Sequence, residues 1–181
     1  MTTSETALPP GSPAAVPSPA ALTAVDGLLE RATRSPYATN APLLPKLRVA
    51  ILTCMDSRID VFRIFGLEEG DAHVLRNAGG YATPDMVRSL AISQRKIGTR
   101  QILVLHHTNC GMTGLRDAEF RAEIAAETGT TPEWDVEGHD DPRDAVRASV
   151  AAITASVLVP YHESVRGGVY DVTTGRLEIV V

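Results

Sequence analysis

The chain has 181 residues, 44% of them hydrophobic and 22% charged, enough for one domain with a substantial core. Its formal net charge of −5 at pH 7, with no basic run of five or more residues, leaves no overall field to attract nucleic acid. No stretch approaches the roughly 18 apolar residues of a membrane-spanning helix.

In chain order, residues 1–19 are rich in Pro, Ala, Ser and Thr, with prolines at 9, 10, 13, 17 and 19 and no lysine or arginine before Arg31. That composition predicts a disordered tail. It lacks the basic start of a secretory signal and the arginines of a transit peptide, so a cytoplasmic protein is expected. Residues 20–181 are then expected to form a single α/β domain. Leu22, Val25, Leu28, Leu29 and Ala32 make an apolar stripe at helical spacing, predicting an amphipathic helix over 20–34 packed on the sheet or on a neighbouring subunit. After Pro36, Pro42 and Pro45 come a strand from Leu47 to Thr53, a short helix from Val61 to Phe65 and a second strand from Ala72 to Leu75. Thr83 is placed to cap a helix that has Pro84 in its first position and stops at Gly98. A third strand follows from Arg100 to His106. Residues 116–128 and 142–157 read as two further helices around an acidic loop, 134–141. Val165 to Val172 and Arg176 to Val181 read as a strand and an edge strand joined across Thr173-Thr174-Gly175. The pattern predicts a mixed sheet with a parallel core flanked by helices, without internal repeats.

The only two cysteines carry the chemistry. Cys54 opens Cys54-Met55-Asp56-Ser57-Arg58, and Cys110 closes His107-Thr108-Asn109-Cys110. Each motif follows an apolar run, Val49 to Leu52 and Ile102 to Leu105, of the kind that forms buried parallel strands. In an open α/β sheet the crevice beyond the carboxyl ends of the strands is where ligands bind, so both half-sites are expected in one crevice. Cys54, His107 and Cys110 would supply two thiolates and one imidazole to a zinc ion, and three protein ligands leave a coordination position open for chemistry. A disulfide between the two cysteines accounts less well for the ligand-type residues beside each. Asp56 lies two residues beyond Cys54 on the same side of an extended segment. It can accept a hydrogen bond from zinc-bound hydroxide, with Arg58 pairing to it bidentately and keeping it ionised. Alternatively, Asp56 swings in as a fourth ligand and closes the site.

These residues resemble those of the β-class carbonic anhydrases. The resemblance rests on Cys54-x-Asp56-x-Arg58, on Arg76-Asn77-Ala78-Gly79-Gly80 and on His107-x-x-Cys110-Gly111, in that order. It runs from about Val49 to the carboxyl terminus and is nearest to the short actinobacterial branch. It implies the fold named above, one Zn2+ per subunit, a homodimer or higher homo-oligomer, and reversible hydration of CO2 to bicarbonate by attack of zinc-bound hydroxide. Asp56 and Arg58 would be the catalytic side chains. The same fold and metal site also serve carbonyl sulfide and carbon disulfide hydrolases, and a closed site with Asp56 as fourth ligand would make a non-enzymatic zinc protein. Arg76 and Asn77 are expected to brace their loop through backbone carbonyls, His106 to be packed or hydrogen-bonded, and His73, His139 and His162 to be non-catalytic. Two positions depart from the family pattern. Asn109 stands where relatives often carry Asp, and Pro45-Lys46-Leu47 occupies a region where many carry a pocket-lining Gln.

Overall fold

The computed structural model describes residues 23–181, and the expected tail over 1–19 lies outside them. The chain divides into two compact units at Asn40 and Ala41. The first contributes helix α1 (Ala24–Arg34), whose start is fixed by a reciprocal capping box between Thr23 and Asp26. Val25, Leu28 and Leu29 on this helix are each more than half exposed, at 61%, 56% and 62%.

The second unit, Ala41–Val181, carries five strands: β1 (Val49–Cys54), β2 (Ala72–Asn77), β3 (Gln101–His107), β4 (Val165–Tyr170) and β5 (Leu177–Ile179). They form one sheet in the order β2-β1-β3-β4-β5. The first three pairings are parallel and only β4 with β5 is antiparallel, which is the mixed sheet with a parallel core that the pattern predicts. Helices α2 (Val61–Phe65), α3 (Pro84–Ile92), α4 (Asp117–Thr128) and α5 (Pro142–Ala155) complete the unit.

Alternation along the central strands sorts the core into two layers, because successive strand side chains point to opposite faces. Ala50, Leu52, Ile102 and Val104 pack with Leu90 of α3 and Ile153 of α5. Ile51 and Leu105 face the other way, against Ile59, Val61 and partly buried Ile64 and Phe65 around α2. Covering both faces is what allows parallel strands to be apolar throughout.

Several boundaries differ from the sequence expectation, most by one to three residues, as where β1 starts at Val49 rather than Leu47 and β5 is only Leu177–Ile179; three of them matter most. β2 extends to Asn77, which pairs with Cys54, and β3 includes His107, which pairs with Tyr170. Pairing with a neighbour carries both strands past the end of their apolar runs. The helix begun at Thr83 is α-helical only to Ile92 and then widens into a π-helical turn, Ser93–Ile97, before Gly98 ends it in the left-handed conformation. Ser93 anchors that turn: its hydroxyl is shared with Thr99 at 2.7 Å and with His73 Nδ1 at 2.8 Å.

Candidate metal centre

β1 and β3 are adjacent and parallel, so their last residues emerge side by side at the carboxyl end of the sheet. Cys54 ends β1, His107 ends β3, and Cys110 follows after a tight turn. All three are buried, and one ligand atom from each lies within 4.8 Å of the others. The expected ligand set is therefore brought together, as a consequence of register rather than of any local motif.

The arrangement fits a bound metal ion on four counts. The two sulfurs are 3.8 Å apart, far beyond a disulfide and equal to the separation of about 3.8 Å for two thiolates about 2.3 Å from a tetrahedral zinc. His107 Nδ1 donates to the Thr108 carbonyl at 2.9 Å, which leaves Nε2 as the atom with a free lone pair, and Nε2 is buried without a hydrogen-bond partner. The shared hydrogen bond between the thiols pulls Cys54 down to about 4 and pushes Cys110 well above the ordinary thiol range. One proton leaves easily and the second resists, because two thiolates side by side need a cation between them. Backbone N–H groups of Asp56 and Gly79 reach the Cys54 sulfur and that of Met112 reaches Cys110, which favours the thiolate forms.

Beside the ligands, Arg58 donates from Nε to Asp56 Oδ1 at 2.9 Å and from Nη2 to Oδ2 at 2.6 Å. The same Nη2 donates to the Asn109 carbonyl at 2.7 Å. The guanidinium holds the Asp56 carboxyl well below the usual carboxylate range. Asp56 Oδ2 lies 3.8 Å from His107 Nε2, so the carboxylate borders the ligand cluster while both its oxygens are engaged by Arg58.

The loop after β2 closes the site from the side. Arg76 donates to three backbone carbonyls, those of Cys54 at 2.9 Å, Asp56 at 2.7 Å and Ile59 at 2.8 Å, which is the bracing role expected of it. Asn77 Nδ2 donates to the Tyr81 carbonyl at 2.9 Å. Gly80 has φ of +81°, and a β-carbon there would sit 2.8 Å from the Cys54 nitrogen, so this loop can lie against the first ligand only with glycine.

Sequence reasoning missed two features. In the sequence Asn109 is only a departure from the family pattern, whereas its contribution is a φ of 58° and the carbonyl that receives Arg58. Asparagine is among the few side chains that adopt this conformation readily. Tyr81, His106 and His139 form a cluster of edge-on rings, with the Tyr81 hydroxyl bonded to His139 Nδ1. Burial lowers His106 to about 4, and neither of its ring nitrogens has a partner among the described residues. These residues are distant in sequence and share no spacing signal.

Fold and site thus define an α/β protein with a two-thiolate, one-imidazole centre at the carboxyl ends of its parallel strands. Comparison with known proteins agrees. The carbonic anhydrase family model matches residues 49–156. Beta-carbonic anhydrase 1 of Mycobacterium tuberculosis is 49% identical over 139 residues, covering 77% of this chain and 85% of that protein. A carbon disulfide hydrolase of Acidithiobacillus thiooxidans is 30% identical over 151 residues, covering 72% of this chain and 75% of its own length. The crystal structure of a carbonic anhydrase from Streptococcus mutans superposes with a TM-score of 0.81 at 39% identity, covering 89% of this chain and 99% of that one. The chain belongs to the β-carbonic anhydrase family.

Proposed function

We propose that this protein catalyses the reversible hydration of CO2 to bicarbonate with one zinc ion per subunit, held by Cys54, His107 and Cys110. The observation that carries the reading is the unpartnered His107 Nε2 facing two thiols 3.8 Å apart, with a carboxylate fixed alongside by Arg58. A metal held there supplies Lewis acidity and makes a potent nucleophile out of water at neutral pH. The chain's own residues would do the rest. Asp56, kept ionised by Arg58, accepts a hydrogen bond from the attacking oxygen and turns its lone pair toward the carbon of CO2. Arg58 prevents Asp56 from collapsing onto the three ligands. The Asn109 carbonyl keeps the guanidinium from following its partner. The backbone N–H groups on the two sulfurs moderate the negative charge of the thiolates, which would otherwise oppose acidification of water.

Identity favours CO2 as the substrate, at 49% to the mycobacterial carbonic anhydrase against 30% to the carbon disulfide hydrolase. A side-by-side assay of CO2 hydration and of sulfide release from carbon disulfide and carbonyl sulfide, on protein whose zinc content has been measured, tests the reading. Sulfide release without hydration would transfer the assignment to the hydrolases, and stoichiometric zinc with neither activity would make the site structural.

The remaining expectations belong to the same proposal. Both cysteines are free thiols, which suits a reducing cytoplasm, and no helix among the described residues is long and apolar enough to cross a membrane. The exposed Val25, Leu28 and Leu29 on α1 suit a helix that buries its apolar face against a second copy in a homodimer or larger assembly. Residues 20–181 would then act together as one catalytic domain, α1 included.

A further inference from the structure

At the amino ends of the parallel strands, opposite the metal centre, lies a cavity that CO2 hydration does not use. Its volume is about 500 Å3, and Arg48, Arg95, Lys96 and Arg100 line it together with Gln94 and Tyr161, with no aspartate or glutamate among its walls. Arg48 immediately precedes β1, and the six residues of that strand at about 3.3 Å each separate it from Cys54 by roughly 20 Å.

Several cations elsewhere in the protein are paired, as in Arg58 with Asp56, Arg116 with Asp140 and Arg143 with Glu178, whereas others such as Arg63 and Arg176 stand singly among the described residues. Among the described residues none of the four cavity cations takes part in an ion pair, although the chain as a whole has a net charge of −5. A cavity of this volume is about 10 Å across, so charges on opposite walls are partly screened at physiological salt, where the Debye length is about 8 Å, while neighbouring cations on one wall repel one another.

Two of the four cations, Arg95 and Arg100, are also held in place by their side chains. Arg95 Nε donates to the Leu158 carbonyl at 2.9 Å, and the Arg100 guanidinium lies 4.0 Å from the centre of the Tyr161 ring. Tyr161 is fixed in turn by its backbone N–H on Gln94 Oε1 at 3.0 Å. Arg48 has a φ of 54°, unusual for a residue with a β-carbon, and its carbonyl accepts the Arg100 N–H at 2.7 Å. Arg95 and Lys96 both sit in the π-helical turn, a distortion found frequently at functional sites.

We propose that this basic cavity is a binding site for a small ligand carrying two or more linked phosphate groups. A single small anion would meet only part of the cluster, whereas linked phosphates can engage charges on both sides of the cavity, and arginine forks suit phosphate oxygens bidentately. Leu44, Ile97 and Pro160 complete the wall and give an organic portion of the ligand an apolar surface. The site is independent of the metal centre and of the activity proposed for it.

Calorimetric titration of the zinc-loaded full chain with inorganic monophosphate, pyrophosphate, triphosphate and adenosine diphosphate tests this, with zinc measured before and after because polyphosphates chelate metals. The expected result is triphosphate binding with Kd below about 1 mM, at least about tenfold tighter than monophosphate. Lys96→Gln and Arg100→Gln should each weaken it about tenfold or more while leaving CO2 hydration unchanged. Adenosine diphosphate tighter than pyrophosphate would identify an organic phosphate ester as the ligand, and equal affinities an inorganic chain. Absence of binding at about 10 mM, affinity unaltered in both variants, monophosphate as tight as triphosphate, or binding accompanied by loss of zinc would each overturn the proposal.

Discussion

Arg58 joins the two ligand loops: its Nη2 takes the Asn109 carbonyl at 2.7 Å and Asp56 Oδ2 at 2.6 Å, while Nε takes Asp56 Oδ1 at 2.9 Å. The position of Asp56 beside the ligands therefore depends on one guanidinium anchored to the opposite loop. Arg58→Ala is expected to keep its zinc, since no ligand is touched, and to lose about 10- to 100-fold in CO2 hydration. Arg58→Lys should recover only part of that loss, because an ammonium cannot form the two-pronged pair. Metal analysis with stopped-flow hydration checks both variants; full zinc with wild-type rates across roughly pH 6 to 9 in the alanine variant would show that Arg58 is not holding Asp56 in a working position.

Loss of any one ligand should empty the site, because three protein ligands carry no redundancy. Cys54→Ser, His107→Ala and Cys110→Ser are each expected to purify with little zinc and no hydration activity. A variant that retains stoichiometric zinc by mass spectrometry removes its residue from the ligand set.

The candidate metal site, the cluster of Cys54, His107 and Cys110, was legible in the sequence because its evidence is chemical. Cys, His and Asp are distinctive residue types, and each motif follows a short Val, Ile and Leu run of the kind that forms a buried strand. Strand ends were less legible, since Asn77 and His107 are ordered by pairing with Cys54 and Tyr170 rather than by their own propensity. The π-helical turn left no trace in Ser93 to Ile97, whose residues suit an ordinary helix; the hydroxyl bonds of Ser93 to Thr99 and His73 accompany the distortion. Asn109 acts through its backbone, which a side-chain pattern does not display. Tyr81 meets His106 and His139 only because the loop after β2 folds against the segment before α5.

Gly80 is expected to tolerate no side chain. An added β-carbon would lie 2.8 Å from both the Cys54 nitrogen and the Thr53 carbonyl carbon, on a residue with φ of +81°. Neither backbone atom can yield without moving the first ligand. Gly80→Ala should cost about 1–3 kcal/mol of stability and lower the zinc content. Gly111, next to the other cysteine, has open space around it and serves as the control: Gly111→Ala should stay within about 1 kcal/mol of wild type. Denaturant unfolding and metal analysis of the two variants separate a steric effect at Gly80 from a general sensitivity of the ligand loops.

If α1 covers its apolar face with a second copy, charge placed on that face should dissociate the assembly. Wild type is expected to sediment as a dimer or larger species at micromolar concentration, and Leu28→Asp with Leu29→Asp to shift it toward monomer. A monomeric wild type with full activity would remove the homodimer from the proposal.

Acid should destabilise the fold through its buried histidines. Burial lowers His139 from its ordinary value, and His106 to about 4, so in the folded state both resist the proton that they accept freely when unfolded. Below the ordinary histidine value of about 6.5 the unfolded chain binds more protons than the native one, and stability falls as pH drops. The contribution is fully present above about pH 6.5 and declines toward the folded values, with the His106 part exhausted near pH 4. His139→Gln keeps a polar side chain beside Tyr81 but removes one of the two titrations. It is expected to be less stable than wild type near neutral pH, because the Tyr81 bond is altered, and to lose stability less steeply as pH falls below about 6.5. Urea unfolding at half-unit pH intervals measures both slopes. An unchanged slope in the variant would show that His139 takes up its proton in the native protein as easily as in the unfolded chain.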